Sequence, residues 1–254
     1  MYRFALRPLW IVSHVFVAFL VVMCVNLGFW QLRRHDERAE RNAQVIARSE
    51  APVVTGVADL LDDVADPEDA RYRPVEVEGR YLEGADLLID NRSNDGLPGA
   101  WVVTPLETDD GSVVAVSRGF LRFDSGELVP PPTPTGTVTV IGTGLPWTEG
   151  CGVRTGDDGV PIGASCMDRD AVAALAGEPV EPLAVQLQSS TAGDEGLVPV
   201  PLPELDSGPH RSYAVQWFIF GTIGLVGYPL VLRKVARDRS APDEPEAPEP
   251  VAVP

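Results

Sequence analysis

The sequence predicts a membrane protein of the α+β class: two transmembrane helices bracketing a mostly antiparallel β domain with minor helix. Three observations carry this. Two apolar stretches, 9–30 and 213–232, have the roughly 20 residues needed to cross a hydrocarbon core of about 30 Å at about 1.5 Å per residue. Between them lie short runs of β-type alternation bounded by clusters of Gly, Pro, Asn and Asp. The same intervening region holds most of the acid. Of 37 acidic residues, only Asp238, Asp243, Glu244, Glu246 and Glu249 lie outside it.

The first stretch, Leu9 to Trp30, is interrupted only by Ser13, His14, Cys24, Asn26 and Gly28. Arg3 and Arg7 would also suit the basic start of a cleaved signal peptide. The apolar run exceeds such a segment, however, and no small-x-small site follows it, so an uncleaved anchor is expected. Residues 31–49 continue as a helical stalk, with Arg33, Glu37 and Arg41, and Asp36 and Glu40, at i,i+4 spacing. An Asp-, Pro- and Gly-rich loop then runs to about Ala70.

Strands are expected at Val75–Glu78, Leu87–Ile89, Ala100–Leu106, Ser112–Ser117, Thr137–Thr143 and Val185–Gln188. Asp90 to Gly96 reads as a turn, and Asp109-Asp110-Gly111 as a hairpin tip. The segment from Pro130 to Pro134 is a Pro-rich linker. One short helix is signalled by Asp168 as N-cap, an apolar stretch from Ala171 to Leu175, and Gly177 as its stop. Cys151 and Cys166 flank a Gly- and Asp-rich hairpin or loop. They form either a disulfide or a pair of free or metal-binding thiols, and the lack of a nearby histidine or third cysteine disfavours a zinc site. A disulfide would require an oxidising, extracytoplasmic compartment.

The second stretch, Tyr213 to Leu232, is polar only at Gln216 and Thr222. Gly221, Gly224 and Gly227 could admit a close helix neighbour, and Pro229 kinks or ends the helix. Residues 233–254 form a basic, then acidic and Pro-rich tail, disordered over Ala241 to Pro254. Charge around the first helix favours an outside N-terminus, whereas Arg233, Lys234, Arg237 and Arg239 favour an inside C-terminus. Two helices put both ends on one side. The balance leans to the cytoplasm, with residues 31–211 as an extracytoplasmic domain and the chain in a cell membrane.

A formal net charge of −17 argues against nucleic acid or an anionic lipid surface as partner of the domain. Missing residues exclude more. No histidine lies between His35 and His210, so a Ser-His-Asp or Cys-His site cannot be built within the domain. The sole lysine is Lys234, which removes Lys-dependent phosphate loops and Schiff bases. A non-enzymatic role is the expectation. His210, at the mouth of the second helix, is the main candidate for chemistry. With Tyr213 and Trp217 it could contact a haem, or simply meet lipid headgroups. His35 emerges at the same membrane face, His14 lies near the start of the first helix, and Arg92 and Arg118 could bind propionates or, more simply, structural carboxylates.

Several motifs give the chain a family likeness. Leu27-Gly28-Phe29-Trp30-Gln31 followed by Arg34 closes the first helix. Gly99 to Leu106 and Val116-Ser117-Arg118-Gly119-Phe120 occupy the middle. His210, Tyr213-Ala214 and Gln216-Trp217-Phe218 open the second helix. In this order they resemble the Surfeit-locus (Surf/Shy) family of cytochrome c oxidase assembly proteins. Departures include Ser117 where the family has Asn, Phe120 where it has Trp, and Ser207-Gly208-Pro209 before the histidine. The resemblance implies a membrane-anchored, non-catalytic assembly factor assisting delivery of haem a to the oxidase catalytic subunit. Its partners would be oxidase subunits, the haem a synthesis machinery and the bilayer, and His210 the haem contact. A structural accessory of the oxidase and a membrane-anchored binding or sensor module are the alternatives.

Overall fold

A computed structural model describes residues 3–124 and 128–239, so the expected disordered segment, 241–254, lies outside the described residues. Two compact units emerge: a helical unit from the chain's two ends, and a β domain from Ala43 to Glu204.

In the helical unit, α1 (Pro8–Ser49) carries the first apolar stretch and the charged stalk as one uninterrupted helix. The second helix, α4 in chain order (His210–Asp238), contains Pro229 without ending there. It begins at the histidine itself, ahead of the expected Tyr213, and takes in Arg233 to Asp238, the start of the expected tail. Both helices have the length and apolarity to cross a membrane. The pair closes around small residues. A Cβ at Gly28 would stand 2.6 Å from Phe218 Cε1, and one at Gly221 3.5 Å from the Cys24 Cβ. Gly224 faces Val21, whereas Gly227 has open space. Gly221 and Gly224 thus admit α1 itself, and Gly227 does not take part. His14 is a tie between the helices: one ring nitrogen lies 2.7 Å from the Tyr228 hydroxyl, which donates to Ser13 at 2.9 Å.

The β domain is a nine-stranded sheet that curls into a barrel. Its strands are β1 (Val54–Thr55), β2 (Pro74–Tyr81), β3 (Leu87–Asn94), β4 (Leu97–Thr108), β5 (Val113–Arg122), β6 (Val138–Pro146), β7 (Val153–Thr155), β8 (Pro161–Ala164) and β9 (Leu183–Ser190). The order β2-β6-β9-β5-β4 closes because β4 also pairs with the end of β2. This is a five-stranded Greek-key ring, with β5 and β9 parallel and the other ring pairs antiparallel. Closure depends on Gly79, where a Cβ would meet the Glu107 carbonyl at 2.3 Å. Val75, Val77, Leu106, Val114, Val116 and Val185 fill the interior. On the outside, α3 (Arg169–Ala176) packs Ala171 and Val172 against Leu87, Ile89 and Ala115. Its ends follow the sequence signals. Asp168 accepts from the Ala171 amide at 2.8 Å, and Gly177 adopts the left-handed conformation at φ 75°.

Three stretches differ from the expected pattern. The turn read at 90–96 is shorter: β3 runs on to Asn94, and only Asp95 and Gly96, both at positive φ, reverse the chain. The 50–70 loop contains β1 and a six-residue helix, α2 (Val57–Asp62), whose Leu60 is fully buried. The segment between Cys151 and Cys166 is a hairpin, β7 against β8, and the two cysteines are joined as a disulfide with Cα atoms 5.4 Å apart.

Candidate functional site

Three residues of the helical unit converge where α4 begins. The chain enters α4 through Gly208 and Pro209. The Asp206 carboxylate accepts from the Gly208 amide at 2.6 Å, and Ser212 donates its hydroxyl to the Pro209 carbonyl at 2.7 Å. Proline lacks an N–H and suits a helix boundary. The first side chain of the helix is then His210, whose Nδ1 lies 2.8 Å from Gln31 Oε1 on α1. A carbonyl oxygen only accepts, so Nδ1 donates, and in the neutral ring Nε2 then keeps its lone pair. An imidazole held in this way is prepared to bind a metal centre through Nε2, since a hydrogen bond on the far nitrogen fixes tautomer and ring orientation.

Nε2 lies close to Gly208. The backbone there has φ 65°, which disfavours side chains, and a Cβ would lie 3.3 Å from Nε2 and 3.2 Å from Cδ2. Glycine therefore lets the chain pass this close to the imidazole edge. One turn beyond Gln31 on α1 is His35, half-buried, with an Nδ1 that is buried and has no hydrogen-bond partner among the described residues. These features fit a ligand whose metal accepts an imidazole.

Of the aromatic residues expected beside His210, Tyr213 is 48 % exposed and its hydroxyl has no hydrogen bond among the described residues. Trp217 lies deeper. It stacks edge-on with Phe220 at 6.0 Å and lines an apolar groove of about 620 Å³ along the helix pair, with Leu20, Cys24, Gly224 and Gly227. The residue the sequence reading missed is Gln31. It was visible only as one letter of a motif.

The two arginines of the β domain have separate surroundings. Arg118 is 2 % exposed. It binds Asp194 at 2.7 Å, Asp86 at 3.4 Å and the Pro132 carbonyl at 3.0 Å, and its guanidinium lies 5.6 Å from the Tyr81 ring centroid. It ties the Pro-rich linker and the segment after β9 to the barrel. Burial, then the negative charge of Asp194, pushes the Tyr81 phenol above its ordinary pKa, with Arg118 opposing. Arg92 has no carboxylate partner among the described residues; it stacks over Trp101 at 4.6 Å and reaches the Ser165 carbonyl at 3.4 Å. Burial lowers its pKa.

Two helices long and apolar enough to cross a membrane, with a β-barrel domain between them in the chain, fit the class of membrane-anchored proteins. The chain belongs to the SURF1 family, whose model matches residues 18–222 and so takes in the whole β domain and part of each long helix. Uncharacterized SURF1-like proteins of Mycobacterium bovis and Mycobacterium tuberculosis are 31 % identical over 260 residues, covering 98 % of this chain and 94 % of theirs. A SURF1-like protein of Rickettsia felis is 26 % identical over 136 residues, covering 53 % of this chain and 57 % of its own length. Membership is consistent with a role in cytochrome c oxidase assembly.

Proposed function

We propose that this protein is a non-catalytic assembly factor that holds haem a in transit to the catalytic subunit of cytochrome c oxidase. The observation that carries the reading is the Gln31–His210 hydrogen bond, which in the neutral ring leaves Nε2 with its lone pair close to Gly208. Membership of the family supports the oxidase as recipient. Within such a site the chain's residues divide the work. Gln31 orients the ring, Gly208 lets the chain pass close beside it, and Trp217 and the groove it lines offer apolar surface for a macrocycle. The haem, as cargo, supplies the iron that takes the nitrogen.

In this reading the β domain faces the outer side of a cell membrane and both termini lie in the cytoplasm. The Cys151–Cys166 disulfide supports that orientation, since such bonds persist in oxidising compartments. The partners are oxidase subunits and the enzymes that make haem a. A second reading, a structural accessory that packs on the oxidase, draws on the open groove at Gly224 and Gly227. Deleting the gene tests both. The haem reading expects oxidase that lacks haem a, restored by the wild-type gene and not by His210→Ala. The accessory reading expects His210→Ala to restore it fully. Normal oxidase in the deletion strain would refute both.

A further inference from the structure

Gly208 has a second close neighbour. A Cβ at that position would stand 3.0 Å from Arg38 Nη1 as well as 3.3 Å from His210 Nε2, so guanidinium and imidazole lie beside one another there. Arg38 is brought there by helical periodicity: it lies seven residues beyond Gln31 on α1, two turns along the same face.

Of the other arginines of this outer part of α1, Arg33 is exposed and without a hydrogen bond or ion pair among the described residues, and the rest are engaged. Arg34 pairs with Glu37 at 2.9 Å, Arg41 donates to the Glu37 carbonyl at 3.2 Å, and Arg48 pairs with Asp69 at 2.7 Å. Arg38 is half-buried, yet it makes no hydrogen bond or ion pair with any described residue. Of the acids nearby in sequence, Glu37 pairs with Arg34 and Asp206 accepts from the Gly208 amide, and neither makes an ion pair with Arg38 among the described residues. A guanidinium is a planar fork of donors matched to a carboxylate, and one left unpaired beside a metal-ready imidazole calls for an acidic group on whatever the imidazole binds.

We propose that Arg38 is the carboxylate-binding residue of the His210 site, so that the site takes a metalloporphyrin at two points. The imidazole Nε2 receives the metal, and the guanidinium holds an acidic substituent at the edge of the macrocycle. This inference rests on the haem reading of His210 and adds to it a specificity: the ligand must carry a free carboxylate. It also separates Arg38 from Arg118, whose donors are consumed inside the β domain. The Gly208 position matters to both points, because any side chain there would stand between them.

The test uses the full-length chain in detergent, titrated by absorbance with ferric protoporphyrin haem and with its dimethyl ester, in which both carboxylates are masked. Wild type should bind the free acid about tenfold or more tightly than the ester, the scale of a charge-assisted hydrogen bond. Arg38→Gln should lose that preference while its affinity for the ester stays unchanged. Arg38→Lys should keep part of it, as a point charge without the fork. Arg34→Gln should keep all of it. Equal binding of acid and ester by wild type, or an Arg38→Gln loss that is the same for both, overturns the assignment while leaving the haem reading intact. Failure of wild type to bind either form overturns the haem reading and this assignment with it.

Discussion

Replacing Arg118 by methionine should be among the most damaging single changes in the β domain. The side chain is fully buried. Its partners Asp194 and Asp86 have side chains only 7 % and 17 % exposed, so solvent does little to screen the loss. Arg118→Met keeps most of the side-chain volume but strands two carboxylates and the Pro132 carbonyl. Breaking a buried pair from one side costs about 3–5 kcal/mol, because the remaining charge is uncompensated. Each ~1.4 kcal/mol is a tenfold change in the opening equilibrium. Hydrogen exchange of the β4 and β5 backbone amides, measured on the full chain, should therefore speed up by about two to three and a half orders of magnitude. Adding Asp194→Asn removes one stranded charge, so the double variant should recover part of the loss, with a coupling of about 1–3 kcal/mol. A single-variant cost below about 1 kcal/mol, or a double variant whose losses simply add, would refute the view of Arg118 as the buried anchor of the two covering segments.

Three further outcomes are expected. Gly221→Cys should form a disulfide with Cys24 under mild oxidation, since the two Cβ atoms would lie 3.5 Å apart; adding Gly28→Leu, which drives a side chain into Phe218, should abolish it on gels of protease-cut protein. Cys151→Ser with Cys166→Ser opens a cross-link across 15 residues and should lower stability by about 3 kcal/mol, read by thermal melting; an unchanged midpoint would mean that the hairpin holds itself. Tyr81 has a raised folded pKa, so the stability it confers as the neutral phenol is full below its unfolded pKa of about 10 and is lost as pH rises above it. Tyr81→Phe should remove that alkaline loss and, because the hydroxyl has no protein partner among the described residues, cost less than about 1 kcal/mol at neutral pH; a cost above about 2 kcal/mol would point to a bond the structure does not contain.

The elements that bury a regular apolar face were legible in the sequence. Val75 and Val77 of β2 alternate with glutamates, and Asp168 and Gly177 mark the ends of α3 by chemistry that acts within four residues. β5 is apolar without alternation because both of its faces are covered, Val114 and Val116 by the barrel interior and Val113 and Ala115 by the α3 layer. The outer half of β3, Asn91 to Asn94, has no apolar residue at all; its strand form comes from pairing with β4 across a bulge, a tertiary cause that local pattern does not carry. Barrel closure through Gly79 is hidden for the same reason. At the candidate site, His210 stood out because its position beside an apolar helix and the scarcity of histidine are local facts. Gln31 and Arg38 did not, since they reach the site from a helix far away in the chain, Gln31 being 179 residues from the imidazole it binds.

The central claim is that His210 presents an oriented, lone-pair-bearing nitrogen to haem a. The measurement that tests it most directly is the absorbance spectrum of the full-length protein purified in detergent from cells making haem a, beside its His210→Ala and Gln31→Leu variants. The account predicts a haem a band in the wild type, lost in His210→Ala and weakened in Gln31→Leu, where the imidazole remains but its orienting acceptor is gone. A wild-type protein without the band, or a His210→Ala variant carrying as much haem as the wild type, would contradict it.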